Sequence, residues 1–87
     1  MSEREFTLLC KKAVVEYVNE HIEVTDGKTI TVGDVFIVWM CKTLQNNKAL
    51  VSTTLFDGMY YELTYNGDKK ELYFDVYKKW VNKCIKL

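Results

Sequence analysis

Proline is absent from this 87-residue chain, and arginine and histidine each occur once. Without proline, nothing marks a polyproline ligand or a stiff linker. With one arginine, bidentate recognition of phosphate or guanine has almost nothing to work with. One histidine and three cysteines, at Cys10, Cys41 and Cys84 with no C-x-x-C spacing, assemble no metal site and no disulfide framework. Each cysteine falls on an apolar periodic face, so all three read as buried thiols in a reducing compartment. Net charge is also missing, since 12 basic and 12 acidic residues cancel, which removes the long-range field of a dedicated nucleic-acid or acidic-membrane binder. No run approaches the roughly 18 apolar residues of a membrane span, and MSEREFTLL lacks the apolar core of a signal peptide. A soluble, cytoplasmic protein is expected. No G-x-x-x-x-G-K-[ST], G-x-G-x-x-G or G-x-S-x-G motif occurs, so there is no phosphate-cradling loop and no nucleophile elbow.

What is present can fold. A hydrophobic content of 48%, with aromatic residues making up 14% of the chain, supplies a core, and 28% charged residues can cover it. The length fits a single domain over residues 1–87, with a core too thin to enclose a large active site. The positions Phe6, Leu9, Cys10, Ala13, Val14, Tyr17, Val18 and Ile22 repeat at three-four spacing and predict a helix from about Ser2 to Glu23. Ser2 with Glu5 matches a capping box, and Glu3 and Glu5 suit the positive end of the helix dipole. Thr25-Asp26-Gly27-Lys28 then predicts a turn.

Val35 to Gln45 and Lys48 to Leu55 are rich in β-branched and aromatic residues and predict two strands joined by a tight turn at Asn46-Asn47. A buried helix starting near Thr31, with Thr31 as N-cap and Asp34 three residues on, is the rival reading of residues 35–45. Met59 to Tyr65 alternates in polarity and runs into Asn66-Gly67, a strong hairpin signal. A two-residue loop there would set Tyr61 opposite Leu72, Tyr60 opposite Tyr73 and Glu62 opposite Glu71. Tyr73, Val76, Tyr77, Trp80, Val81 and Cys84 return to three-four spacing and predict a terminal helix with Asp75 as N-cap. The expected fold class is α+β: an N-terminal helix, an antiparallel three- to four-stranded meander and a C-terminal helix. Which sheet face points inward depends on the loop at Asp57-Gly58, because a bulged turn reverses the inward set that a two-residue turn would give.

The run Val38-Trp39-Met40-Cys41-Lys42-Thr43-Leu44-Gln45-Asn46-Asn47-Lys48-Ala49-Leu50-Val51-Ser52-Thr53, with Gly58-Met59-Tyr60-Tyr61-Glu62-Leu63-Thr64-Tyr65-Asn66-Gly67 and Tyr73-Phe74-Asp75-Val76-Tyr77-Lys78-Lys79-Trp80, resembles a family of small proteins of unassigned function encoded by phages and prophages of Gram-positive bacteria. The similarity covers most of the chain. It implies an accessory protein that binds a host or phage component inside a bacterium, and it brings no catalytic residues with it.

The residues themselves offer one pair with catalytic potential, Glu62 and Glu71, whose repulsion on one face could raise a carboxyl pKa. Two exposed acids relieved by Lys69 and Lys70 explain the same pair. Cys10 and His21 lie about 16 Å apart along one helix and cannot act together. No enzyme activity, catalytic residue, cofactor or metal is therefore expected. Charge is uneven, with seven acids and four bases in residues 1–34 against six bases and two acids in 69–87. A hairpin face with Tyr60, Tyr61 and Tyr65, flanked by Lys42, Lys48, Lys69 and Lys70, could bind single-stranded nucleic acid weakly, although zero net charge disfavours it. A sheet this small cannot bury Trp39, Tyr60, Tyr73 and Trp80 together, and exposed tyrosine and tryptophan are common binding anchors. The expected partner surface comprises Trp39, Lys42, Asn46, Lys48, Tyr60, Glu62 and Tyr73. A host or phage protein is its expected occupant, with a homo-oligomer as the alternative and no membrane.

Overall fold

The computed structural model describes residues 1–21 and 29–87. Helix α1 spans Glu3–His21, a single 3-10 turn occupies Val32–Asp34, and four strands follow: β1 (Val35–Thr43), β2 (Asn46–Thr53), β3 (Met59–Asn66) and β4 (Glu71–Lys78). The strands form one antiparallel meander in the order β1-β2-β3-β4.

The start of α1 is the one its cap residues predict: the Ser2 hydroxyl oxygen accepts the Glu5 N–H at 3.1 Å. Its stripe of Phe6, Cys10, Val14 and Val18 is buried against the sheet. At the other end the His21 ring donates from Nδ1 to the Tyr17 carbonyl at 2.7 Å and stacks on the Tyr17 ring at 4.1 Å. The expected continuation to Glu23 and the Asp26-Gly27 turn lie outside the described residues. Asn19 recovers the chain beyond them, accepting the Ile30 N–H at 2.8 Å and donating to the Ile30 carbonyl at 3.0 Å.

Both readings of the segment after Thr31 contain part of the answer. The Thr31 N–H donates to the Asp34 carboxylate at 2.8 Å, so the capping signal is genuine. It caps only one 3-10 turn, after which β-branched Val35, Ile37 and Val38 continue as strand. The turn that closes the first hairpin is at Leu44-Gln45 and not at Asn46-Asn47, which pair as the first residues of β2. Leu44 takes a positive φ of 55° to make it. Between β2 and β3 the loop covers residues 54–58, with Gly58 at φ 69° and the Asp57 side chain accepting the Met59 N–H. That longer loop aligns Val51 with Tyr61, so Asn47, Ala49, Val51 and Thr53 face the helix.

The last hairpin departs most from expectation. Asn66 does not form the centre of a two-residue turn. Its side-chain oxygen accepts the N–H groups of Asp68 and Lys69, opening a four-residue loop, and Asn66 pairs with Glu71. The register moves by four, so Tyr61 faces Val76, Tyr60 faces Tyr77 and Glu62 faces Asp75. No C-terminal helix forms. Residues expected to begin it belong to β4, where Leu72, Phe74 and Val76 point inward and Tyr73, Asp75 and Tyr77 outward. Tyr73 to Trp80 satisfies both a helical and an alternating pattern. The paired edge of β3 and the packing of Phe74 against Tyr17 at 5.3 Å and Tyr61 at 5.8 Å favour the strand. Residues 79–87 have no regular structure.

The core lies between α1 and one sheet face, with Ala49, Val51, Tyr61 and Leu63 beneath the helical stripe. The shortest dimension, 19 Å, is that of one helix layer on one sheet. The two hairpin ends are fastened together: Gln45 Nε2 donates to Asp68 at 2.6 Å and the Gly67 N–H donates to Asn46 Oδ1 at 3.1 Å.

Candidate functional site

Among the described residues no second helix covers the sheet face opposite α1. Antiparallel pairing aligns its side chains in rows. Trp39, Leu50, Glu62 and Asp75 form one row across all four strands, and Cys41, Lys48, Thr64 and Tyr73 form the next. Phe36, Tyr60 and Tyr77 occupy the end near the β2–β3 loop, where an open groove of about 450 Å³ is lined by Phe36, Leu55, Phe56, Tyr60 and Lys79 among others. Trp39, Tyr73 and Tyr77 keep 43%, 52% and 51% of their surface exposed. So many large half-exposed side chains on one flat face are unusual for a surface that meets only water.

A β-bulge puts Trp39 there. Before it, Val35 and Ile37 face the helix; between Ile37 and Trp39 the register slips by one, so that Trp39 pairs with Leu50 outward and Met40 with Ala49 inward. Without the extra residue Trp39 would share the face of Ile37. Met40, turned toward the helix, accepts a contact from the Thr7 hydroxyl at 3.9 Å. This re-aiming has no signature in the sequence, whose run from Val35 to Cys41 is apolar throughout.

The charges on the face are mostly acidic. Glu62 and Asp75 stand directly opposite each other, an arrangement that weakens a sheet modestly. Lys48 relieves it, its Nζ 3.2 Å from Glu62 Oε1. Glu71, the expected partner of Glu62, lies in another row and accepts the Tyr73 hydroxyl at 2.7 Å, which raises the Tyr73 pKa. The candidate carboxylate pair Glu62/Glu71 is thus not assembled. Among the described residues no three His, Cys, Asp or Glu side chains converge as a metal site.

Of the seven residues expected on a partner surface, Trp39, Lys48, Tyr60, Glu62 and Tyr73 meet on the open face. Lys42 does not: it points to the helix side, where its Nζ donates to the Met1 carbonyl at 3.1 Å. Asn46 is used in joining the two hairpin turns. Phe36 and Tyr77 complete the face and were not singled out by sequence; the alternation of β4 past Tyr73 was the signal for Tyr77. The three thiols also separate: Cys10 is buried, and burial pushes its pKa up to about 12, whereas Cys41 and Cys84 are exposed, against the expectation of three buried thiols. Cys41 is outward because it follows the bulge, and Cys84 because its helix does not form.

Among the described residues no helix is long and apolar enough to cross a membrane. Residues 7–87 match the model of DUF6275, a family of unknown function, and the chain belongs to that family. No curated protein and no solved structure matches it.

Proposed function

We propose that this member of DUF6275 is a non-catalytic protein-binding module, an accessory protein of phage or prophage type acting in the bacterial cytoplasm, and that it docks its partner on the open sheet face. The observation that supports this reading is the set of large aromatic side chains on that face of the four-stranded sheet, with Trp39, Tyr73 and Tyr77 about half exposed and Tyr60 paired beside Tyr77. Aromatic side chains offer large contact area at low entropic cost, and exposed tyrosine and tryptophan are the residues most often found as binding anchors. The acids Glu62, Glu71 and Asp75 around them favour an apolar partner segment that carries lysine or arginine. The same acids count against the alternative of single-stranded nucleic acid, since Lys48 is the one base in the two central rows and is engaged by Glu62.

Affinity capture with the tagged protein, with and without nuclease at two salt concentrations, tests the reading. The expected result is a nuclease-resistant protein partner that is lost with Trp39→Ala or Tyr60→Ala while the fold is retained. Recovery that needs nucleic acid, falls steeply with salt and disappears in Lys69→Glu/Lys70→Glu would replace it with the nucleic-acid reading.

A further inference from the structure

Residues 79–87, Lys-Trp-Val-Asn-Lys-Cys-Ile-Lys-Leu, leave large apolar side chains without cover. Trp80, Val81 and Ile85 are 88%, 74% and 72% exposed, on a segment with no regular structure. The radius of gyration, 14.4 Å, exceeds the about 12 Å of a compact 87-residue domain. An apolar segment without cover and an apolar face without cover therefore occur in one chain. We infer that they cover each other between two copies: the open sheet face of one copy receives residues 79–87 of a second, and the exchange is reciprocal. The inference rests on the docking reading above and names the partner of that face.

Three observations select a second copy. First, the Lys79 N–H donates to the Gly58 carbonyl at 2.8 Å, carrying the line of β4 one residue past the end of β3. To fold back on its own face the chain would have to reverse between Lys79 and Asn82, and no glycine or proline follows Gly67 to ease that reversal. A neighbour needs no reversal. Second, the segment holds Lys83 and Lys86 and no acid, while the face holds three acids, Glu62, Glu71 and Asp75, against Lys48, which Glu62 already engages, and Lys79, which lies over Tyr60. Third, the dimensions agree. Nine extended residues reach about 30 Å, more than the about 15–20 Å width of four strands. Half-exposed aromatics on the face and the segment's Trp80, Val81 and Ile85 would together remove on the order of 1,500 Å² in a two-fold pair, the usual size of a stable interface.

The test is sedimentation equilibrium of the full chain and of two variants. The native protein is expected at twice its 10.2 kDa chain mass at micromolar concentration. Trp80→Asp/Ile85→Asp, at two largely exposed positions, is expected at one chain mass with an unchanged far-ultraviolet spectrum. Trp39→Lys is expected to behave alike; should it unfold, half-exposed Tyr73→Lys replaces it. Mixing the tail variant with the face variant leaves one intact tail and one intact face, and restores a mixed pair. Association should weaken at least about 100-fold in each variant alone. A native protein of one chain mass up to ~100 μM, or a pair that survives the tail change, would overturn the exchange. A one-chain native protein that still retains a protein partner through Trp39 and Tyr60 would overturn only the exchange and leave the docking face in place. Face variants that alter neither mass nor partner capture would overturn both.

Discussion

The two faces of the sheet are built from similar residues and differ in what covers them. On the helix side, Ala49, Val51, Tyr61 and Leu63 are nearly or wholly removed from solvent under Phe6, Cys10, Val14 and Val18. On the other side stand Trp39, Tyr60, Tyr73 and Tyr77, with Leu50, Lys48, Glu62, Thr64 and Asp75 among them. One helix can cover one face of four strands, so an alternating sequence with large apolar residues at both parities leaves a surplus. The covered face therefore carries stability, and on the proposed reading the open face is the one left for recognition.

Truncations on the two sides should separate those roles. Leu63→Ala, at a fully buried position, is expected to cost about 2–5 kcal/mol in urea unfolding, whereas Trp39→Ala and Tyr73→Ala should cost about 1 kcal/mol or less while abolishing association. Equal losses on both faces would break the comparison. Next in size is Gly67→Ala, which touches the junction that keeps both hairpins in one plane. A Cβ there would collide with the Gln45 carbonyl oxygen, so a loss of roughly 1–3 kcal/mol is expected.

A smaller effect, of opposite sign, is expected on the covered face at Asn47. It is 2% exposed, and neither atom of its amide has a hydrogen-bond partner among the described residues. Replacing a buried unpaired amide with a hydrocarbon of similar size should stabilise, so Asn47→Leu is expected to gain about 1 kcal/mol. The smallest effect is alkaline. Cys10 is held up at about 12 from an ordinary 9.0 by burial. Its folded pKa lies above the unfolded one, so its contribution is fully present below about pH 9 and drains away as pH rises toward 12. Tyr61, raised from 10.0 to about 12 chiefly by burial, adds to the loss above pH 10. Cys10→Val should flatten the stability profile between pH 9 and 10.

Helix α1, its Ser2 cap and its buried stripe were legible because one periodicity and one cap agreed. The meander was legible from alternation and from Asp-Gly and Asn-Gly. The rest was hidden by ambiguity of a physical kind. Asn66-Gly67 serves a two-residue turn and a longer loop begun by the Asn66 side chain equally well, and that choice set the register of β4. Tyr73 to Trp80 reads as helix or strand, and the free edge of β3 decided it. The bulge beside Val38 leaves no mark in an all-apolar run, yet it takes Trp39 and Cys41 to the open face. Trp39 was expected there through a surplus of aromatics; Cys41 was expected inside. The turn at Leu44-Gln45 was missed because a leucine at positive φ is costly and Asn46-Asn47 was the cheaper assignment.

The thiols give the most direct test of a sheet covered on one face only. Labelling with a small maleimide at submicromolar protein, followed site by site by mass spectrometry, should modify Cys41 on the open face and Cys84 beyond β4 quickly. Cys10, on the buried face of the helix, should react only as fast as the protein unfolds. A Cys41 as slow as Cys10 in dilute protein would mean that the outer face is closed within a single chain, and would contradict the account.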